Sequence, residues 1–412
     1  MENNGDREKD SLLSFDRVVD AASVLAGVVH RTPVDYSRTF SQLTGSHVYF
    51  KAENMQKTGS FKIRGAYYKI HRLDAAQRAR GVITASAGNH AQGVACAAAK
   101  AGIAATVVMP ATAPLAKVEA TRGYGAQVVL AGQGYDEAYS RAKEIQAATG
   151  ATFIHGFDDP DVIAGQGTVG LEILEQLEHA DAVVVPVGGG GLAAGVALAV
   201  KHRCPSVKVI GVQSAGAPAM YTSYRLGRWQ ESERACTLAD GIAVKRPGRL
   251  TFSLVSRYVD DVVTVDDEEI ARAITMLLER SKMVVEGAGA AGLAALLQGR
   301  VALPGRRVAV VLSGGNIDIN TVSILIERGL LRSGRRVYLR ALLDDRPGAL
   351  QTLLASVAEM RANIINISHD RVDPCVPLQK AEVKLLLETR NPEHVNGIIS
   401  LLREKGYKVE KG

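Results

Sequence analysis

The residue with the most to offer chemically is Lys62, in the run KTGSFKIRGAYYKI. A Thr-Gly-Ser turn precedes a helical stretch there, which puts Ser60 at the expected N-cap and Lys62 just inside the helix. The partial positive charge of a helix start and the apolar neighbours Phe61 and Ile63 both disfavour a protonated amine, so Lys62 is poised for Schiff-base chemistry. Taken alone, a surface lysine on an amphipathic helix is the simpler reading, and the assignment turns on what else the chain carries.

Two further runs supply groups that suit anions, and a third opens at the same kind of edge. In SAGNHAQG, Ser86 to Gly93, a strand ends and a helix begins, and backbone amides with the side chains of Ser86, Asn89 and His90 suit a carboxylate. In GGGGL, Gly188 to Leu192, successive glycines let the backbone wrap an anion, and the helix that follows favours a phosphate group. The run is neither GxGxxG with an acidic residue about 20 positions on nor a Walker loop, so a single phosphomonoester fits it better than a dinucleotide. SGGN, Ser313 to Asn316, opens after the strand RVAVVL at the same kind of edge. Each run by itself also reads as an ordinary strand-to-helix turn or cap.

The elements that must position these residues are βα units. From Val48 to about Val311 short β-branched runs alternate with Ala-rich helical stretches, as in VITAS before AQGVACAAAKAG and AVVVPV before LAAGVALAVKH. Near-continuous apolar strands imply a mostly parallel sheet covered on both faces. After Asn320 the pattern changes. A helix (321–328) leads into GLLRSGRR, a Gly- and Arg-rich segment (329–336) read as a linker, and the remainder reads β-α-β-β-α-β, the order of a ferredoxin-like unit. The expected domains are therefore 1–328, 329–336 as linker and 337–412.

Bulk properties exclude several classes. With 412 residues the chain exceeds one hydrophobic core, and 47% hydrophobic with 22% charged residues is an ordinary globular balance. The net charge of +6 is scattered rather than gathered into basic runs with interleaved aromatics, so no nucleic acid is expected as partner. No stretch of 18 apolar residues occurs, and the first ten residues, MENNGDREKD, are polar and acidic, unlike a signal peptide; no membrane association and a cytoplasmic location follow. Cys96, Cys204, Cys236 and Cys375 are far apart without CxxC pairing, which argues against a disulfide framework or a structural zinc site.

Together GSFKIRGA, SAGNHAQG, PVGGGGL and VLSGGN resemble the fold-type II pyridoxal-phosphate enzymes, and among them the threonine/serine dehydratases, over about Thr32 to Arg328. The resemblance implies an α/β fold: a two-domain catalytic unit like the tryptophan synthase β chain, with a small subdomain (about 50–155) inserted in a large one. It makes Lys62 the Schiff-base lysine and places Phe61 beside a pyridoxal 5'-phosphate cofactor. It implies Asn89 at the ring hydroxyl, Gly188, Gly189, Gly190, Gly191 and Leu192 at the phosphate, Ser313 at the pyridine nitrogen and Glu286 flanking the ring. Ser86, Ala87, Gly88, Asn89 and His90 would line the substrate carboxylate. The implied activity is elimination of water and then ammonia from L-threonine, and from L-serine, in a homodimer or homotetramer.

Three departures narrow that expectation. Cysteine synthases and threonine synthases have Asp where Ile63 stands. Serine racemases carry a serine hydroxyl where Ala87 stands, which disfavours two-base racemisation. Some relatives bind a cation through acidic residues at positions held here by Gln213 and Ala219, so no metal is expected. The C-terminal run LLDDRPGALQTLLASVAEMRANIINI resembles the ACT regulatory module, which implies an amino-acid effector near Asp344, Arg346, Pro347, Gly348 and Asn363, or else a plain oligomerisation module. A nicotinamide oxidoreductase would need a dinucleotide fingerprint, and a non-catalytic amino-acid sensor would need an idle Lys62.

Overall fold

The computed structural model describes residues 13–412, so the acidic N-terminal run lies outside the described residues. Two compact units result, 1–317 and 318–412.

The first unit is built on two sheets. Strands β1 (Val34–Tyr36), β2 (His47–Lys51), β7 (Ala182–Pro186), β8 (Lys208–Ser214), β9 (Asp261–Val265) and β10 (Arg307–Val311) form a six-stranded sheet in the order β1-β2-β10-β7-β8-β9. Only β1 runs antiparallel. Inserted between β2 and β7 in the chain, β3 (Val82–Ala85), β4 (Ala105–Met109), β5 (Gln127–Leu130) and β6 (Thr152–Phe153) form a parallel sheet of their own, in the order β5-β4-β3-β6. β7 and β3 are buried at every position, as continuous apolar strands with helices on both faces must be. The C-terminal ends of β7 and β10, neighbours in the sheet, carry GGGGL and SGGN, while β3 delivers SAGNH.

Helix Lys62–His71 crosses this unit with two unlike faces. Lys62 and Arg64 are two residues apart, about 200° around the axis. Arg64 is fully buried and pairs with Glu53 at 2.8 Å and Glu172 at 2.6 Å, while Lys51 reaches Glu172 at 2.5 Å and the Thr32 carbonyl at 2.7 Å. Burial by itself would neutralise these groups. Instead Arg64 holds the Glu53 carboxyl below its usual range, and Glu53 and Glu172 raise Arg64.

Two local expectations are corrected. The helix starts at Lys62 with Phe61 as N-cap, and the Ser60 hydroxyl is buried without a partner. The reason is that Ser60 is drawn into an antiparallel bridge with Gly314, so its backbone serves the loop rather than the helix. The segment read as a linker is helical as far as Arg332, within helix Ile319–Arg332, and a new strand begins at Arg336. One interior glycine costs a helix only about 1 kcal/mol, which the flanking Leu330 and Leu331 tolerate.

The second unit has strands β11 (Arg336–Asp344), β12 (Asn363–Asp370), β13 (Lys380–Glu388) and β14 (Lys408–Lys411), with helices Ala349–Glu359 and Pro392–Glu404 between them. This β-α-β-β-α-β chain forms an antiparallel sheet in the order β12-β13-β11-β14. Alternate residues of β11, Val337, Leu339, Ala341 and Leu343, enter a core shared with Leu353, Val357, Leu385 and Leu402.

Candidate active site

The loop after β10 is stitched to the segment before Lys62. The Phe61 amide donates to the Ser313 carbonyl at 3.1 Å, the Gly315 amide to the Gly59 carbonyl at 2.8 Å, and the Glu286 amide to the Gly314 carbonyl at 3.0 Å. Side chains continue the seam. Asn316 Nδ2 donates to the Thr58 carbonyl at 2.8 Å and to Asn89 Oδ1 at 2.7 Å, and Asn89 Nδ2 donates to Glu286 Oε1 at 2.7 Å. A Cβ at Gly314 would lie 2.4 Å from that carboxylate oxygen, so glycine is required for the approach. The structure thus brings Phe61, Lys62, Asn89, Glu286 and Ser313 into one neighbourhood.

Lys62 Nζ donates to the Gly156 carbonyl at 2.8 Å and lies 5.1 Å from the Phe61 ring centroid. Among the described residues no carboxylate pairs with it. Burial pushes its pKa down to about 8, opposed only by the field of Glu286. Glu286 is pushed up to about 7 by burial, against the hydrogen bond from Asn89. Both groups therefore change protonation close to neutral pH, where ordinary lysines and glutamates stay fully charged.

Helix Asn89–Ala101 packs on the lysine helix so closely that a Cβ on Gly93 would come 3.0 Å from the Lys62 backbone. Gly88 is its N-cap, and the Gly88 amide donates to Ser86 Oγ at 3.3 Å. Ala87 is partly buried against the small-sheet core. His90 Nε2 lies 2.9 Å from the Ile154 carbonyl, so it carries the proton, and Nδ1 is a buried acceptor without a partner. Burial and the charge of Lys62 lower its pKa to about 3, which keeps the ring neutral.

The glycine loop is a cradle that side chains would fill. Gly190, at φ +98°, is the N-cap of helix Gly191–Arg203, and a Cβ there would meet Met220 at 2.6 Å and Thr251 at 2.8 Å. A Cβ on Gly189 would meet the Phe157 ring at 2.5 Å, one on Gly191 the Phe157 backbone at 2.9 Å, and one on Gly188 the Ile242 backbone at 3.0 Å. Leu192 is buried in the first turn. A helix start leaves its first amides without intrahelical acceptors. Among the described residues none accepts from the amides of Gly188, Gly189 or Gly190.

Sequence reasoning missed the segment His155–Asp158 after β6. Gly156 holds the lysine amine, Phe157 covers the glycine loop, and Asp158 Oδ1 and Oδ2 accept from the Thr251 and Arg249 amides at 3.1 Å. Its only visible signal is Asp159-Pro160, the N-cap and first turn of helix Pro160–Gln176.

Gln213, at one of the positions expected to be acidic in cation-binding relatives, is buried and accepts from the Tyr221 amide at 2.7 Å through Oε1. In the second unit the effector set separates. Asp344 pairs with Lys380 at 2.6 Å at one end of β11, beside the turn that carries Arg346, Pro347 and Gly348 at φ +86°. Asn363 registers with Glu388, which faces Arg336 at the other end. Eight residues of strand at roughly 3.3 Å each put about 26 Å between them. Asn363 and Asp344 of one copy do not share a ligand, because β11 and β12 run parallel with Asn363 level with the start of β11.

Residues 25–314 match the family described as "Pyridoxal-phosphate dependent enzyme". The chain is 54% identical to an L-threonine ammonia-lyase of Thermotoga maritima over 398 residues, 97% of this chain and 99% of that one. Maize serine racemase superposes with a TM-score of 0.73 at 38% identity, over 78% of this chain and 98% of that one. The processed form of threonine deaminase isoform 2 from Solanum lycopersicum also gives 0.73 at 38% identity, over 76% and 92%.

Proposed function

We infer the roles of individual residues from one premise: this chain belongs to the pyridoxal-phosphate dependent enzyme family. It is a threonine ammonia-lyase that converts L-threonine to 2-oxobutanoate and ammonia, and L-serine serves as a second substrate. The observation that carries the reading is a lysine of depressed pKa held by Gly156, next to the Phe157 that covers a glycine cradle in which the Gly188, Gly189 and Gly190 amides find no acceptor among the described residues.

The residues present fit the cofactor. Gly188 to Leu192 would hold its phosphate, Lys62 would attach it, Phe61 and Glu286 would flank the ring, Asn89 would meet the ring hydroxyl and Ser313 the ring nitrogen. When bound, the cofactor supplies an electron sink for the bond broken at the substrate Cα. Ser86 to His90 would hold the substrate carboxylate through the amides at the start of helix Asn89–Ala101. Lys62 Nζ, once free, removes the Cα proton, and a pKa near 8 provides enough neutral amine to do so. Burial of the site keeps bulk water from competing for that proton. Ala87 offers no hydroxyl to return a proton from the opposite side, which favours elimination over racemisation.

The remaining assignments rest on sequence context and surfaces. A cytoplasmic location agrees with four free cysteines. A homo-oligomer agrees with the exposed isoleucines 364, 365 and 367 on β12, an edge strand suited to pairing. An ACT-like role places an amino-acid effector at the Asp344–Gly348 turn, without Asn363 of the same copy. The decisive assay follows 2-oxobutanoate formation from threonine with and without branched-chain amino acids, and D-serine formation from L-serine. Absence of 2-oxobutanoate would overturn the reaction, D-serine as main product would favour racemisation, and indifference to every amino acid would leave the C-terminal unit an assembly module.

A further inference from the structure

We propose that Asp158 and Thr251 are positioning residues for the glycine loop: they set the Gly189 peptide so that the Gly190 amide faces a phosphate group. The proposal rests on the reading of that loop as the phosphate site. A trans peptide points its C=O and N–H in opposite directions, so whatever holds the Gly189 carbonyl also aims the Gly190 amide. Two donors hold it, Thr251 Oγ1 at 2.5 Å and the Gly248 amide at 3.2 Å. Thr251 is completely buried, and both donors stand at the start of helix Arg249–Tyr258. That helix start has Gly248 as N-cap, which has no side chain to satisfy its amides. Asp158 does so from a distant part of the chain, accepting from Arg249 and Thr251.

The connection continues into the rest of the site. Asp158 follows Phe157, whose ring and backbone close over Gly189 and Gly191, and Gly156, whose carbonyl takes Lys62 Nζ. His155 fixes the bend by accepting from the Phe157 and Asp158 amides through Nδ1, at 3.2 and 2.8 Å, and by packing edge-on against the Phe157 ring. One short strap thus touches the lysine amine at one end and, through Thr251, the glycine loop at the other. No side chain of the loop itself could do this, since each of its glycines is crowded where a Cβ would be.

The test uses holoenzyme of the parent, Thr251→Val, Thr251→Ser, Asp158→Asn and Gly190→Ala. Three quantities are read: the rate of cofactor dissociation, the phosphorus-31 resonance of the bound cofactor, and the affinity of the resolved enzyme for pyridoxal, which lacks the phosphate. Thr251→Val should release cofactor about tenfold faster, the worth of one buried hydrogen bond, and shift the resonance while leaving pyridoxal affinity unchanged. Thr251→Ser keeps the hydroxyl and should restore parental values. Asp158→Asn should move the same two readings in the same direction by about threefold, and it decides the matter if Thr251→Val does not fold. Parental dissociation and resonance in both Thr251→Val and Asp158→Asn, with Gly190→Ala weakened, would overturn the proposal. So would an equal loss of pyridoxal affinity, which marks a general packing role. Unchanged phosphate-dependent binding in Gly190→Ala would instead overturn the phosphate reading itself.

Discussion

The two faces of helix Lys62–His71 carry buried charge under opposite arrangements. On one, Arg64 meets two carboxylates, and Glu53 stays ionised although burial alone would raise it. On the other, Lys62 finds only a carbonyl and Glu286 only an amide, and burial moves each toward its neutral form. The same cost of burying charge is thus met by pairing in the structural cluster and left standing at the site. The difference teaches that burial alone marks neither face as functional. What distinguishes the Lys62 face, among the described residues, is that no carboxylate forms a direct ion pair with the lysine, which leaves it able to change protonation near pH 8.

The largest effect should come from Lys62→Ala. Losing both the proposed attachment point and the proposed base should abolish covalent cofactor binding, seen as loss of its visible absorbance, and lower turnover by about 10³-fold or more. Parental turnover in that variant would break the comparison outright. Next is Arg64→Met, which strands the buried Glu53 carboxylate and leaves Glu172 to Lys51 alone, and should destabilise the fold by about 3–5 kcal/mol in chemical unfolding. Adding Glu53→Leu to it should recover part of that loss if the cost is unpaired charge rather than lost volume.

A pH-dependent effect sharpens the contrast in the cofactor-free protein. Glu286 has a raised folded pKa, so its contribution to stability is present below its ordinary value of 4.5 and is lost as pH rises through about 7. Lys62 has a lowered folded pKa, so its contribution is present above 10.5 and is lost as pH falls through about 8. Glu286→Gln should therefore gain in melting temperature relative to the parent as pH rises from about 4.5 to about 7. A difference that is constant over this window would show that Glu286 stays charged. The smallest effect belongs to Arg31→Gln. That residue pairs with Glu175 at 3.0 Å with both side chains mostly exposed, and its unfolding free energy should change by less than about 1 kcal/mol.

What the sequence made legible follows the same division. Lys62, the glycine loop, SAGNH and SGGN lie in short contiguous runs where the chemistry demands particular residue types, and the parallel βα order was readable from apolar periodicity. The C-terminal order was readable too, because alternating β11 and the two helices have the separate periods of strand and helix. Partners that meet across the fold left no such trace. Arg64 and Glu172 are 108 residues apart, Lys62 and Gly156 are 94 apart, and a carbonyl acceptor has no side chain to recognise. Ser60 looked like a cap because local propensity knows nothing of Gly314, and Gly329 looked like a break because composition outweighed its leucine neighbours. Asn363 was joined to Asp344 by a motif read along the chain, whereas strand register sends them to opposite ends of the sheet.

The strand order of the large sheet has a consequence for how the chain acquires its structure. β10 lies between β2 and β7, and its residue Arg307 pairs with His47, a separation of 260 residues. A growing polypeptide must therefore hold β2 and β7 with open edges until almost the whole first unit has left the ribosome. Such non-local closure is slow, and open apolar edges are prone to associate wrongly in the meantime. The last strand to arrive also brings Ser313 to Asn316, so the site is completed in the same event that seals the sheet.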